Sequence, residues 1–290
     1  MNAHLKNILS MFIFGTIGIF RRYLPLPSSL VAMARGAIGM VFLLAVMGLM
    51  KKKLDIASIK KNLPKLCLSG VCLGVNWILL FEAYNYTSVA TATLCYYLAP
   101  MFIILVSPAL LKEKITTRKL ACVGVALVGM VFVSGVLDAG ISSIAELKGI
   151  FLGLAAAVFY ASVVLLNKKT AGIPANDRTI MQLGVSAIVL LPYVLLTENF
   201  AEMSFTPGVV GMLIVVGILH TGVAYALYFG SLRELKAQTA AILSYIDPVV
   251  AILLSALLLK ESMSLLSGVG AVLVLGSAIV SELPEKGAHK

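Results

Sequence analysis

Residues 81–113 read FEAYNYTSVATATLCYYLAPMFIILVSPALLKE, and residues 229–261 read FGSLRELKAQTAAILSYIDPVVAILLSALLLKE. The two runs align without a gap at a spacing of 148 residues, and 12 of their 33 positions are identical. Thr91/Thr239, Ala92/Ala240, Tyr97/Tyr245, Pro100/Pro248 and the closing Lys112-Glu113/Lys260-Glu261 are among them. A recurrence at half the chain length means two similar halves, and such internal repeats in a very apolar chain are a hallmark of membrane carriers.

Composition identifies the solvent. Of 290 residues, 60% are hydrophobic and 12% charged, and mean hydropathy is +1.01. Soluble domains carry about 25% charged residues. Ten apolar segments lie near 5–20, 28–50, 64–84, 89–111, 117–136, 147–166, 179–197, 207–230, 237–259 and 264–281. Most approach the roughly 20 residues a helix needs to cross a hydrocarbon core. The first is short and ends in Arg21-Arg22, so it requires snorkelling side chains or local thinning. Arginines there, followed at once by a second span, argue against a cleaved leader peptide.

The fold expected is an all-α integral membrane protein of ten transmembrane helices, arranged as two inverted five-helix repeats over 1–140 and 145–284. Five spans per half is an odd number, so the second half enters the membrane with opposite polarity. Charge sets the orientation. With both termini cytoplasmic, the inner segments hold Lys6, Lys51, Lys52, Lys53, Lys60, Lys61, Lys65, Lys112, Lys114, Arg118, Lys119, Lys168, Lys169, Arg178, Arg233, Lys236, Lys286 and Lys290, which are 18 of the 23 basic residues. The net charge of +10 is thereby a topology signal, and no nucleic-acid partner is needed to explain it. Cys67, Cys72, Cys95 and Cys122 fall inside expected spans without metal-type spacing and read as small apolar residues.

The pattern Phe81-x-Ala83-Tyr84-x-Tyr86-Thr87-Ser88-Val89-Ala90-Thr91-Ala92, then Pro100 and Lys112-Glu113, resembles the EamA-type proteins of the drug/metabolite transporter superfamily. Phe14-Gly15, Arg21 and Arg35 resemble that family's first two helices. Glu82 departs from its pattern, where a small or apolar residue is more usual. The resemblance implies a ten-helix bundle with a central cavity walled by the first four helices of each repeat, in a bacterial-type inner membrane. It also implies secondary transport of small organic solutes, with export the expected direction.

Polar groups at membrane depth are costly unless they face partners or water. Arg35 and Glu82 could meet in the outer half of the bundle, either as an ion pair locking two helices or as a substrate clamp. Asp247, directly before Pro248, and His220 lie deepest, and together suggest a proton-coupling site. The bland alternative is that Asp247 satisfies backbone freed by Pro248 and that His220 is a satisfied core residue. Pro100 and Pro248 interrupt helices at equivalent positions, and such matched breaks point toward a binding site. Trp77 and its repeat partner Tyr225, Tyr97 and its partner Tyr245, and Asn76 are further candidate lining groups, with Tyr96, Tyr160 and Tyr228 as additional phenols. Aromatic walls suit a cationic group or a ring. Glycines crowd the fifth and tenth spans and mark scaffold helices or a homodimer interface.

No H-E-x-x-H, G-x-S-x-G or P-loop occurs, so a zinc, serine or nucleotide-driven mechanism has no parts to use. The expectation is a carrier that needs no metal or cofactor and whose partners are the bilayer and a small solute. The expected solute is an amino acid or related zwitterion, with cationic or aromatic toxic compounds as the other class.

Overall fold

In the computed structural model of the chain, residues 1–21, 23–87, 89–134, 144–170, 172–258 and 265–282 are described. Arg22, Ser88, Lys260, Glu261, Lys286 and Lys290, all used above, lie outside them. Every described segment of regular structure is helical. The helices are α1 (Ala3–Arg21), α2 (Ser28–Leu49), α3 (Ile56–Ala83), α4 (Val89–Tyr96), α5 (Ala99–Leu111), α6 (Thr117–Ser134), α7 (Ile144–Lys169), α8 (Ala175–Thr197), α9 (Pro207–Val215), a π-helix (Val216–Val223), α10 (Ala224–Ser231), α11 (Ala237–Leu243), α12 (Ile246–Leu258) and α13 (Leu265–Glu282). Among the described residues, seven helical stretches are long and apolar enough to cross a membrane, and Gly268–Ser281 is a shorter apolar helix.

The 148-residue spacing extends far beyond the stretch in which it is visible as identity. α1, α2 and α3 end at Arg21, Leu49 and Ala83; α7, α8 and α10 end 148 positions later, at Lys169, Thr197 and Ser231. α4 and α11 begin with the same spacing. Packing follows the same exchange of halves. α2 lies on its own counterpart α8, and α6 on its counterpart α13. α3 against α7 is answered by α10 against α1, and α1 against α12 by α7 against α5. A pseudo-two-fold axis therefore runs between α2 and α8 and between α6 and α13.

One helix begins earlier than its hydropathy suggests. Asp55 accepts the Ser58 amide at 3.0 Å and the Ser58 hydroxyl at 2.5 Å, which caps α3 at Ile56 and carries Lys60, Lys61 and Lys65 on helix instead of loop. The Ser58 side-chain and backbone bonds hold the Asp55 carboxyl below the usual aspartate range.

The turns gather at two ends. At one end, Lys6 pairs with Glu234 at 3.3 Å, Asp177 accepts the Asp55 amide at 2.8 Å, and Lys168 donates to the Leu232 and Leu235 carbonyls. This basic end collects the lysine-rich turns. At the opposite end, Ser29 donates to Glu198, Tyr193 donates to Glu82, and Thr87 donates to Glu146 at 3.4 Å.

One glycine of α6 serves contact within the chain. A Cβ on Gly129 would sit 2.8 Å from the Gly270 carbonyl and 2.8 Å from Val274 Cγ2, so this residue sets the approach of the two helices. Gly124 faces open space, with nothing within 4 Å of its would-be Cβ. Gly129→Val will cost about 2 kcal/mol by overpacking, read as a lowered unfolding midpoint of detergent-solubilised protein. Gly124→Val will stay within about 0.5 kcal/mol of wild type.

Candidate functional site

Two helix interruptions meet at the centre. Pro100 and Pro248 lack an amide hydrogen and restrict the residue before them, and the fourth and ninth expected spans each divide there, between Tyr96 and Ala99 and between Leu243 and Ile246. Both chains continue through single turns, with Tyr97 N–H bonded to the Thr93 carbonyl at 2.9 Å and Tyr245 N–H to the Ile242 carbonyl at 3.2 Å. Asp247 falls in the first turn of α12, where the helix dipole favours negative charge. Its Oδ2 accepts the Tyr97 hydroxyl at 3.3 Å, so the break in one half supplies a donor to the break in the other.

From Asp247 an aromatic arc runs to Arg35. Tyr97 lies beside Tyr96, with ring centroids 6.0 Å apart, and Tyr96 beside Tyr160 at 5.5 Å. Tyr160 approaches Tyr228, which meets Phe14 at 6.4 Å. Phe14 packs edge-on against Tyr225 at 5.1 Å, and Tyr225 against Trp77 at 6.3 Å. The Arg35 guanidinium closes the arc 4.7 Å above the Trp77 ring. Such a cation–π contact contributes about 1–2 kcal/mol where water is excluded. Asp247, Tyr97, Tyr96, Tyr160, Phe14 and Arg35 are half-buried, whereas Trp77, Tyr225 and Tyr228 are buried beneath them. Arg35 Nε has no hydrogen-bond partner.

Several expected placements change. Arg35 and Glu82 do not meet: among the described residues no ion pair joins them, because Arg35 stacks on Trp77 while Glu82 accepts from Tyr193 of α8 and from Asn85 at 3.4 Å. Asp247 and His220 are likewise not joined. His220 bonds Thr16 Oγ1 at 2.8 Å and packs on Phe20 at 4.7 Å. The Asp247 backbone packs on neighbouring Gly15, whose would-be Cβ lies 2.7 Å from the Asp247 carbonyl, so α1 contacts both residues. Asn76 is wholly buried and ties α3 to α7 through the Ala156 carbonyl at 2.6 Å. Tyr245, wholly buried, packs with Met130, Val249, Ala271 and Val274 on the α6 and α13 side, and its repeat partner Tyr97 packs against the same cluster while its hydroxyl reaches Asp247. The cysteines are free thiols, three buried and Cys67 half-buried.

Two features carried no usable sequence signal. Residues 216–223 widen into a π-helix around His220, a distortion frequent at functional positions. Arg178, expected in a loop, lies in α8 with no exposed surface. It donates to the carbonyls of Asn167 at 2.9 Å, Thr170 at 3.2 Å and Phe229 at 2.7 Å, while Gln182 bridges Asn167 and Ser69. This network sits between the site and the basic end.

Comparison with known proteins places these features in a wider group. The model of the EamA-like transporter family matches residues 2–135 and again residues 147–282. A Bacillus subtilis (strain 168) protein named Uncharacterized transporter YxxF is 30% identical over 288 residues, covering 98% of this chain and 91% of its own. An Uncharacterized transporter of Clostridium kluyveri is 28% identical over 261 residues, covering 87% and 82%. Protein PecM of Dickeya dadantii (strain 3937) is 26% identical over 230 residues, covering 76% of each. A solved crystal structure superposes with a TM-score of 0.86 over 97% of both chains at 19% identity, which establishes a shared fold.

Arg178→Met will leave three buried carbonyls without their donor and will cost about 3 kcal/mol. The check is thermal unfolding of purified protein, in which Arg233→Met, removing an exposed guanidinium, changes the midpoint little.

Proposed function

The chain belongs to the EamA-like transporter family, and from that premise we propose that it is a secondary carrier exporting amino acids or related zwitterions across the cytoplasmic membrane. The observation that carries this reading is the pair of unlike charges at the two ends of one aromatic arc. Among the described residues Arg35 Nε has no hydrogen-bond partner, and the Asp247 carboxylate accepts from the Tyr97 phenol. A zwitterion presents a carboxylate to the first and an ammonium to the second, while Tyr96, Tyr97 and Tyr160 flank its body. Asp247 takes the acidic role that the sequence suggested for Glu82.

Ten spans, five in each half, make the two halves inverted with respect to the membrane, with the basic end cytoplasmic. Rocking of the halves about α2/α8 and α6/α13 then exposes the arc alternately to each side. Asp247, the acid at the helix break, is the proton carrier in this scheme, and exchange of its proton for the substrate ammonium couples the two fluxes. His220, held by Thr16, acts as a hinge residue within the π-helix. Efflux of cationic aromatic compounds is the second reading, favoured by the phenols around Asp247 and indifferent to Arg35.

Amino acids will raise the unfolding midpoint of purified protein, because a ligand bound only by the folded state at about 100 times its dissociation constant adds about 2.7 kcal/mol. Arg35→Ala will abolish that shift. Stabilisation by quaternary ammonium compounds alone, intact in Arg35→Ala and lost in Asp247→Asn, establishes the second reading instead. In loaded proteoliposomes Asp247→Asn will lose its response to an imposed pH gradient; a full response removes Asp247 from coupling.

A further inference from the structure

Exchange of the two halves maps the principal packings onto one another with one conspicuous exception. α11 packs on α5, yet the counterpart packing of α4 on α12 is not among the principal ones of the described residues. All seven residues of α11 are buried, whereas Thr93, Leu94 and Tyr96 of α4 remain half-buried. α11 and α5 run from the central breaks to the basic end; α4 and α12 run from the same breaks to the opposite end. The molecule is therefore shut at its basic end and parted at the other.

The contacts that shut it are polar. Lys112 ends α5 in the left-handed region, at φ 57°, which turns Glu113 toward the start of α11. The Glu113 carboxylate accepts the Ala237 amide at 2.9 Å and the Gln238 amide at 3.3 Å, satisfying amides that a helix start leaves open. Gln238 Nε2 donates to Ser107 Oγ at 2.8 Å, and both residues are wholly buried. Lys168 Nζ bridges the carbonyls of Leu232 at 3.0 Å and Leu235 at 2.6 Å, fixing the turn that leads into α11. Asn7 adds a 3.0 Å bond to Ser231.

Positions 148 residues away show that the set recurs in part, since Glu113 corresponds to Glu261 and Ser107 to Ser255, while its other members do not recur. Gln238 corresponds to Ala90, Lys168 to Phe20, Asn7 to Ala155 and Ser231 to Ala83. At these four positions the basic end has hydrogen-bonding side chains and the other repeat has methyl groups and a phenyl ring. We propose that Glu113, Gln238, Ser107 and Lys168 form a latch that holds the carrier closed at its basic end without substrate. The resting carrier thus waits with its arc facing away from the basic end, and entry from that side requires the latch to break. This inference rests on the carrier reading above.

Spin-label distance distributions separate the two. One pair, Lys114→Cys with Arg233→Cys, spans the basic end; a second, Asn85→Cys with Leu258→Cys, spans the opposite end, each in full-length protein with Cys67, Cys72, Cys95 and Cys122 replaced by Ala. In Gln238→Ala and Glu113→Gln the basic-end pair will gain a population longer by about 5 Å, the scale of element shifts in such transitions, and the opposite-end pair will gain a shorter one. Lengthening at the basic end alone supports the latch and counts against rocking. An unchanged basic-end distribution in both variants, folded as judged by their unfolding midpoints, overturns the latch and leaves the carrier reading standing. If either variant fails to fold, Ser107→Ala, which removes the acceptor of Gln238 together with a bond within α5 to the Ile104 carbonyl, carries the same decision.

Discussion

A proline inside a membrane helix frees a carbonyl and removes a donor where no water can compensate, and the rest of this structure is arranged around two such residues. Pro100 and Pro248 split their spans at the same depth in each half, and the pseudo-two-fold axis brings the splits together. The Tyr97 hydroxyl crosses from one break to the carboxylate at the other. Because each break is a helix terminus, an acid can be held there by the start of α12 instead of by a buried cation, so Arg35 remains available to the other end of the arc.

That arrangement asks the two halves to be alike in backbone and unlike in side chains. Trp77 and Tyr225 show how: equivalent under the repeat, they touch each other near the axis, one supporting Arg35 and the other bridging to Phe14. Tyr97 and Tyr245 share one apolar cluster against α6 and α13, but Tyr97 carries its hydroxyl to Asp247 while Tyr245 is wholly buried. Asp247 corresponds to Ala99, so only one break is charged. A symmetric frame with a single acid gives one asymmetric site, which is what a solute with two different ends needs.

The frame was legible in the sequence because it depends on spacing and hydropathy, both of which survive substitution. The 148-residue recurrence and the paired prolines located the breaks, and within the described residues the apolar segments lie on helices, the fourth and ninth each divided at its break. The partners of individual polar groups were not legible, since they depend on side-chain direction around each helix. Glu82 and Arg35 were expected to meet on charge alone; the indole below Arg35 and the phenol of Tyr193 decide otherwise. Arg178 counts among the inner basic residues on charge, directly before the expected span 179–197, and in the fold three carbonyls hold it inside α8. The π-helix at His220 has no compositional signature, so its position could come only from coordinates.

The repeated Lys-Glu pair shows how one motif can be read twice. In sequence it marks the close of a repeated run and nothing more. In the fold, Lys112 takes a left-handed turn that costs roughly 1 kcal/mol for a residue with a Cβ, and its return is the placement of Glu113 on the amides of α11. A strained turn persists where the surrounding structure fixes it, and here the fixing element belongs to the other half of the chain. The link between halves at the basic end is thus carried by backbone geometry on one side and a carboxylate on the other.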